Sequence, residues 1–274
     1  MKLMLAPMID ITSAAFRAIC YNYGADLTFS ELVKIKGLAR KDINTWSRIA
    51  CKDATPMVIQ VLGSREQYFK KFLNIFTPFD GFAGFNLNLG CPDPSAINDG
   101  LGCAMIKRIS KVRKIIDIFK DYGYSISIKM RLGLNQAEKD KKVYLNMIEA
   151  ANADFFVIHA RHGAQGYDQP ADFKVFEECA NTGKEIIANG DIRTKEQLEH
   201  LKSIGVKGAM IGRAAVIDPA IFNKLKGIST PETAVIKQKY LDLTQKYGEP
   251  LRYRKNVLKW FGKELNYKNI HYLI

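Results

Sequence analysis

Short apolar runs recur along the chain, separated by longer segments whose apolar residues fall at helical spacing. The strand candidates are Leu3–Ala6, Asp26–Phe29, Met57–Val61, Phe82–Asn86, Ser125–Lys129, Phe155–His159, Glu185–Ala188 and Gly208–Ile211. Most are apolar at successive positions, as expected of strands covered on both faces. Thr12–Tyr23 opens on Thr and Ser, both good helix caps, and carries Phe16 and Ile19 on one face. Val112–Tyr122 repeats the pattern with Val112, Ile115, Ile116 and Phe119, and Lys195–Ile204 follows Thr194 and stops before Gly205. Eight strand–helix units predict an α/β fold, a (β/α)8 TIM barrel, whose usual size is about 250 residues. A doubly wound open sheet is the competing arrangement. After Lys226 the pattern changes: Pro231 follows a Gly/Ser/Thr stretch, and helix-like runs begin near Glu232 and Arg252, with a break at Gly248–Pro250. The expected organisation is a barrel over 1–228 and a short helical appendage over 229–274.

Composition narrows the classes. No run approaches the ~18 apolar residues that a membrane span needs. The opening MKLMLAPMID meets an acid at Asp10 and reads as a first strand rather than a signal peptide, so a cytoplasmic protein is expected. Cys20, Cys51, Cys91, Cys103 and Cys179 are widely spaced, with no CxxC pair and no HExxH, so neither a disulfide framework nor a metal site is expected. The formal net charge is +13, and 11 Lys and Arg stand against 4 Asp and Glu from Ile221 to Ile274. Such a surplus either favours a polyanionic partner, through phosphate contacts, or serves solubility.

Active sites in this barrel sit at the C-terminal ends of the strands. There the chain places Ala6-Pro7-Met8, Gln60 with Gly63, Asn86 to Pro92, Lys129-Met130-Arg131, His159 to Gly163, Asn189-Gly190-Asp191 and Gly212-Arg213. The last two clusters suit a phosphate, because loops after strands seven and eight commonly bind one and glycines let backbone N–H groups approach; the bland alternative is two turns and a surface ion pair. Lys129 reads as a Schiff-base lysine, a cation beside the electron-rich end of a flavin, or a rim lysine in a salt bridge. His159 reads as a cofactor contact, an acid, or a satisfied core histidine. Cys91, in a Gly-Cys-Pro turn, is a proton donor, a nucleophile, or a small buried hydrophobe. Cys103 is the second candidate thiol. No GxGxxG follows a strand, so no fixed nicotinamide domain is expected.

These segments, taken in order, resemble the tRNA-dihydrouridine synthases. The resemblance rests on Ala6-Pro7-Met8, Gln60-Val61-Leu62-Gly63, Asn86-Leu87-Asn88-Leu89-Gly90-Cys91-Pro92, Gly102-Cys103-Ala104-Met105, Lys129-Met130-Arg131-Leu132-Gly133, His159-Ala160-Arg161, Asn189-Gly190-Asp191-Ile192 and Met210-Ile211-Gly212-Arg213. It covers roughly residues 3–225, and the Asn-x-Gly-Cys-Pro segment is the most discriminating part. It implies FMN as cofactor, NADPH as reductant and tRNA as partner, with hydride passing from flavin N5 to uracil C6. It also implies that Cys91 gives a proton to C5 from the opposite face. By the same resemblance Pro7, Met8 and Ile9 line the flavin edge, and Gln60 and Lys129 contact the isoalloxazine. His159 lies near flavin and substrate, and Asn189, Gly190, Asp191, Gly212 and Arg213 hold ribityl and phosphate groups. Asn88 and Arg161 belong to the substrate side. A monomer is expected. The chain departs from the family at His162, where Thr is usual, and in a C-terminal helical part that is shorter than usual, although Arg252, Arg254, Lys255, Lys259 and Lys263 still offer phosphate contacts. The competing functions are a flavin-dependent small-molecule dehydrogenase resembling dihydroorotate dehydrogenase, and an RNA-binding barrel without catalysis.

Overall fold

The structure, a computed structural model, describes residues 1–263. Its strands are β1 (Lys2–Leu5), β2 (Thr28–Phe29), β3 (Val33–Lys34), β4 (Met57–Leu62), β5 (Phe82–Leu89), β6 (Ile126–Met130), β7 (Phe156–His159), β8 (Ile186–Asn189) and β9 (Gly208–Ile211). Every pairing is parallel, in the order β1-β9-β8-β7-β6-β5-β4-β2, with β3 also on β4. Leu5 N donates to Leu27 O at 2.9 Å, and Met4 bridges Leu27, so β1 comes back beside β2 and the ring nearly closes. β2 and β3 share one place in the ring, and helices alternate with the strands. The result is the eight-fold barrel that the pattern predicts.

The second strand is shorter than the expected Asp26–Phe29 and resumes as β3 after Ser30, Glu31 and Leu32. The Ser30 hydroxyl accepts from Gln60 N at 3.0 Å, so a side chain replaces a ladder bond and the strand bulges there. The fourth strand runs past the expected Asn86 to Leu89, which puts Asn88 on the sheet rather than in a loop.

Strand side chains alternate between two layers. Leu3, Leu5, Ile59, Val61, Phe85, Leu87, Ile128, Met130, Phe156, Ile158, Ile186, Ala188, Ala209 and Ile211 face outward into the large apolar layer beneath the helices. Phe85 anchors it, with ring centroids 4.8 Å from Phe119, 5.1 Å from Phe76 and 5.3 Å from Tyr124. Truncating such a ring to Ala costs about 3–5 kcal/mol. Met4, Ala6, Phe29, Val58, Val157, Ile187 and Met210 form a second, smaller cluster that plugs the barrel axis. One layer above that plug the alternate positions turn polar: Gln60, Asn88, Lys129, His159 and Asn189. The apolar plug is the floor of the site and these side chains stand on it.

Helix starts follow the expected signals. Ser13 caps Ala14–Asn22, and Thr194 with Gln197 forms a capping box on Lys195–Ser203. The C-terminal helices Thr233–Lys246 and Leu251–Leu258 pack on the barrel. Tyr240 meets Phe16 edge-on at 6.2 Å, and Ile236, Tyr240, Val257 and Phe261 belong to the same apolar layer as the barrel helices. Glu249 accepts from Ala15 N at 2.6 Å, at the start of Ala14–Asn22. Residues 264–274 of the expected C-terminal unit lie outside the described residues. No helix among the described residues is long and apolar enough to cross a membrane, and among them no group of three or more His, Cys, Asp or Glu could hold a metal.

Candidate active site

A cleft with about 1030 Å³ of empty space, part of it open to solvent, lies over the C-terminal ends of the strands. That volume suits a cofactor-sized ligand. Its wall contains Pro7, Met8, Ile9, Gln60, Asn88, Cys91, Lys129, His159, Asn189, Gly190, Asp191, Gly212 and Arg213, so thirteen residues drawn from seven strand ends meet in one cavity.

One side of the cleft is a chain of amides. Gln60 Nε2 donates to Asn86 Oδ1 at 2.8 Å, and Asn86 Nδ2 donates to Ser127 Oγ at 2.8 Å. Asn88 Nδ2 donates to Gln60 Oε1 at 3.0 Å, while Asn88 Oδ1 accepts from Gly90 N at 3.0 Å and Cys91 N at 2.9 Å. Each buried amide thus has its orientation fixed by its neighbour. The last link pins the backbone of the Cys91 turn to the barrel. Gly90 lets that turn pack closely on β6, since a Cβ there would come within 3.3 Å of Arg131 N. Burial pushes the Cys91 thiol above its ordinary range, and it prevails over a backbone hydrogen bond from Asp93 and the charges of Arg131 and Lys129, which act the other way. A thiol so placed keeps its proton at neutral pH, which suits an acid and opposes the nucleophile reading. Cys103 is buried, donates to Gly90 O at 3.1 Å and is pushed up to about 12 by burial. It supports the turn and is not part of the cleft wall.

The other side is cationic. Lys129, Arg131, Arg193 and Arg213 line the wall, against the single carboxylate of Asp191. Asp191 bridges Arg161 at 2.5 Å and Arg213 at 2.7 Å and also accepts from Ala171 N at 3.0 Å. Its backbone is left-handed, at φ 53, just after Gly190 at φ 120. Lys129 Nζ donates to Asn189 Oδ1 at 3.0 Å, and Asn189 Nδ2 donates to Met210 O at 2.9 Å. Burial, reinforced by Arg131, lowers Lys129 to about 7. The same burial, with Arg131, Lys129, Arg161 and Arg213 nearby, holds His159 well below the usual imidazole range. His159 is therefore neutral at pH 7. Arg161 Nη1 lies 3.3 Å from His159 Nε2, and a guanidinium only donates, so Nε2 accepts and Nδ1 carries the proton.

Arg161 is fully buried and does not line the cleft. Its Nε and Nη2 donate to Gln169 O at 2.9 and 2.7 Å, so it braces His159 and Asp191 from behind. Several wall residues lie outside the sequence-based set: Leu32, Arg131, Tyr167, Ile192, Arg193 and Met210. Tyr167 matters most. Its ring stacks on His159 at 5.9 Å and 22° and lies 4.3 Å from the Arg213 guanidinium carbon. Arg131 carries a signal in the sequence only as a cation in the strand-end triplet Lys129-Met130-Arg131. Tyr167 gives no periodic signal, because it stands in the irregular segment after β7.

The profile of the family described as "Dihydrouridine synthase (Dus)" matches residues 4–269. A protein of Aquifex aeolicus described as a probable tRNA-dihydrouridine synthase is 28% identical over 231 residues, covering 82% of this chain and 72% of its own. One of the same description from Helicobacter pylori J99 is 28% identical over 273 residues, covering 93% and 81%. The human tRNA-dihydrouridine(47) synthase [NAD(P)(+)]-like protein is 26% identical over 231 residues, 82% of this chain but 35% of that longer one. Among solved structures, a variant of NCR from Zymomonas mobilis superposes with a TM-score of 0.54 at 13% identity, over 88% of this chain and 94% of that one, a likeness of fold alone. With the family match running through every strand of the barrel, this chain belongs to the dihydrouridine synthase family.

Proposed function

We propose that the protein is a tRNA-dihydrouridine synthase that binds FMN, draws on NADPH and reduces a uridine of tRNA to 5,6-dihydrouridine. The observation that carries this reading is the pairing within one cleft of a thiol that retains its proton and a cation-rich wall. The wall fits a flavin phosphate. Arg213 Nη1 is buried and has no hydrogen-bond partner among the described residues, so a strong donor stands ready for an anionic oxygen.

Asn189, Gly190, Asp191, Gly212 and Arg213 would hold the ribityl and phosphate groups. Pro7, Met8 and Ile9 would lie along the ring edge, with Gln60 and Lys129 against its polar rim. Bound and reduced, the flavin supplies a hydride for C6 of the uracil. The Cys91 thiol supplies the proton for C5, and the thiolate left behind regains a proton from solvent. Asn88 positions the Cys91 turn and closes the substrate side. Neutral His159, with its proton on Nδ1, orients a carbonyl or amide edge without adding charge. Arg161 acts behind His159 and Asp191 as a positioning residue. The target base must leave its stack to reach the floor of the cleft. The net charge of +13, together with Arg252, Arg254, Lys255, Lys259 and Lys263 of the proposed helical unit over 229–274, favours a folded polyanion on the outside. We place this activity in a cytoplasmic monomer that uses no metal.

The test is direct. Protein loaded with FMN is incubated with NADPH and unmodified tRNA, and dihydrouridine is measured by mass spectrometry. Product is expected; its absence with every tRNA pool, from protein that has bound flavin, overturns the reading. Oxidation of free dihydroorotate in a parallel reaction would point instead to a small-molecule dehydrogenase.

A further inference from the structure

Glu31 joins three parts of the chain. It lies in the bulge between β2 and β3 and is 1% exposed. A carboxylate that deep must find donors. Its Oε2 accepts from Arg48 Nη1 at 2.5 Å and from Asp10 N at 2.8 Å, and its Oε1 accepts from the Tyr253 hydroxyl at 2.5 Å. Asp10 follows directly on the Pro7–Ile9 wall and is held at φ 55, a conformation that non-glycine residues adopt at a cost. The Asp10 carboxylate meets Arg48 at 3.3 Å and Arg252 at 3.5 Å, and Asp10 O accepts from Asn256 Nδ2 at 3.2 Å. On the other side of Glu31, Leu32 lines the cleft. Arg252, Tyr253 and Asn256, all from the helix Leu251–Leu258, therefore fasten onto Asp10 and Glu31 although none of them lines the cleft.

We infer that Glu31 is a positioning residue that clamps the Pro7–Asp10 wall of the cleft to the C-terminal helix. Asp10 cannot relax from its left-handed turn while its N–H is held by Glu31, so Pro7, Met8 and Ile9 are presented in one arrangement. Tyr253 holds the far end of the same carboxylate, so the helix and the wall move as one body. A change on the helix is then felt in the cleft. The inference rests on the flavin reading above for its ligand, and on the hydrogen bonds alone for its mechanics.

The test compares the full chain with Tyr253→Phe, Glu31→Gln and a control, Tyr240→Phe. Tyr240 belongs to the preceding helix, and its hydroxyl has no partner among the described residues. FMN dissociation constants are read from flavin fluorescence, and the setting of the ring from circular dichroism in the flavin bands. Tyr253→Phe loses one buried hydrogen bond and is expected to weaken FMN binding about fivefold. Glu31→Gln turns an amide donor toward other donors and is expected to weaken it about tenfold or more, with changed flavin bands. Tyr240→Phe should match the parent. Wild-type affinity and flavin bands in both hub variants would overturn the inference, as would equal weakening by Tyr240→Phe. Tyr253→Phe removes a single oxygen, so it keeps the test decisive even if Glu31→Gln does not fold. Amide hydrogen exchange of residues 8–10 gives a reading that needs no flavin: faster exchange in Tyr253→Phe is expected, and unchanged exchange refutes the clamp. If wild-type protein takes up no flavin yet those amides respond, the cofactor reading fails and the clamp stands.

Discussion

Asp191→Asn isolates the charge that holds the cationic wall together. The Asp191 carboxylate is the shared partner of Arg161 at 2.5 Å and Arg213 at 2.7 Å, whose side chains are 0% and 9% exposed. Asn keeps the shape and tolerates the left-handed backbone at this position, so the fold of the turn is spared. Its amide can still accept from one guanidinium, but it presents an N–H donor to the other. One desolvated cation loses its counter-charge. Breaking a buried pair costs about 3–5 kcal/mol, and the retained acceptor places this change near 3. For a domain of this size each kcal/mol moves the melting point by about 2–4 °C, so a fall of about 6–12 °C is expected. The assay is thermal unfolding followed by circular dichroism at pH 7, without and with FMN. If a phosphate reaches Arg213, added FMN should recover part of the loss, since a ligand that binds only the folded state stabilises it. A melting point within about 2 °C of wild type would show that Asp191 does not neutralise this wall.

Cys91→Ala should retain FMN, seen in its visible spectrum, and lose dihydrouridine formation by about 10²–10⁴-fold in the mass-spectrometric assay, the usual range for a positioned acid. Gly190→Ala puts a Cβ 3.0 Å from Ala171 Cβ and 3.2 Å from His159 Cδ2 at φ 120, and should cost about 1–3 kcal/mol in urea unfolding together with weaker flavin binding. Lys129, lowered by burial to about 7, is charged in the unfolded chain up to its ordinary value near 10.5. Folding therefore carries a penalty below pH 7 that fades as pH rises from about 7 to 10.5. Lys129→Met should raise the melting point at pH 6 and lose that advantage by pH 10, and an equal effect at both would refute the assignment. FMN binding at pH 8 should take up close to one proton, read by calorimetry in buffers of different ionisation enthalpy, and Lys129→Met should abolish the uptake.

The barrel was legible because its signal is distributed. Most strands bury both faces, so Met57–Val61 or Phe155–His159 reads as a strand whichever face is in question, and an error at one end leaves the count intact. Cleft residues were legible wherever they are the last inward positions of a strand: Gln60, Lys129, His159 and Asn189 break an apolar run at a place the fold makes functional. Asn88 was found as a motif residue but assigned to the substrate side. Its observed bonds to Gly90 N and Cys91 N also give it a structural task in the turn. Arg161, expected on the substrate side, stands behind the wall, because sequence order cannot say whether a side chain just past a strand points into a cleft or behind it. Tyr167 and Glu31 were illegible for a different reason. One stands in an irregular segment and the other in a bulge, and their partners, Arg213 and Tyr253, are 46 and 222 residues away, distances that no local pattern can encode.

The opposite shifts of Lys129 and Cys91 have one cause and serve one end. Burial disfavours whichever form is charged, so it lowers the amine and raises the thiol. Without an anion in the cleft, Cys91 is neutral and Lys129 only part-charged near pH 7, so the fixed positive charge there comes mainly from the guanidiniums of Arg131, Arg193 and Arg213. An anion entering the cleft acts on both groups in the same direction. Negative charge favours the ammonium of Lys129, which gains a counter-ion, and disfavours the thiolate of Cys91, which holds its proton more firmly. The wall becomes a stronger cation only once there is an anion to meet, and the Cys91 thiol is most completely protonated when an anion is in place. No conformational change is required for this coupling. It follows from setting a buried lysine on β6 and a part-buried cysteine in the turn after β5 in one cleft, where each has lost hydration that its charged form needs.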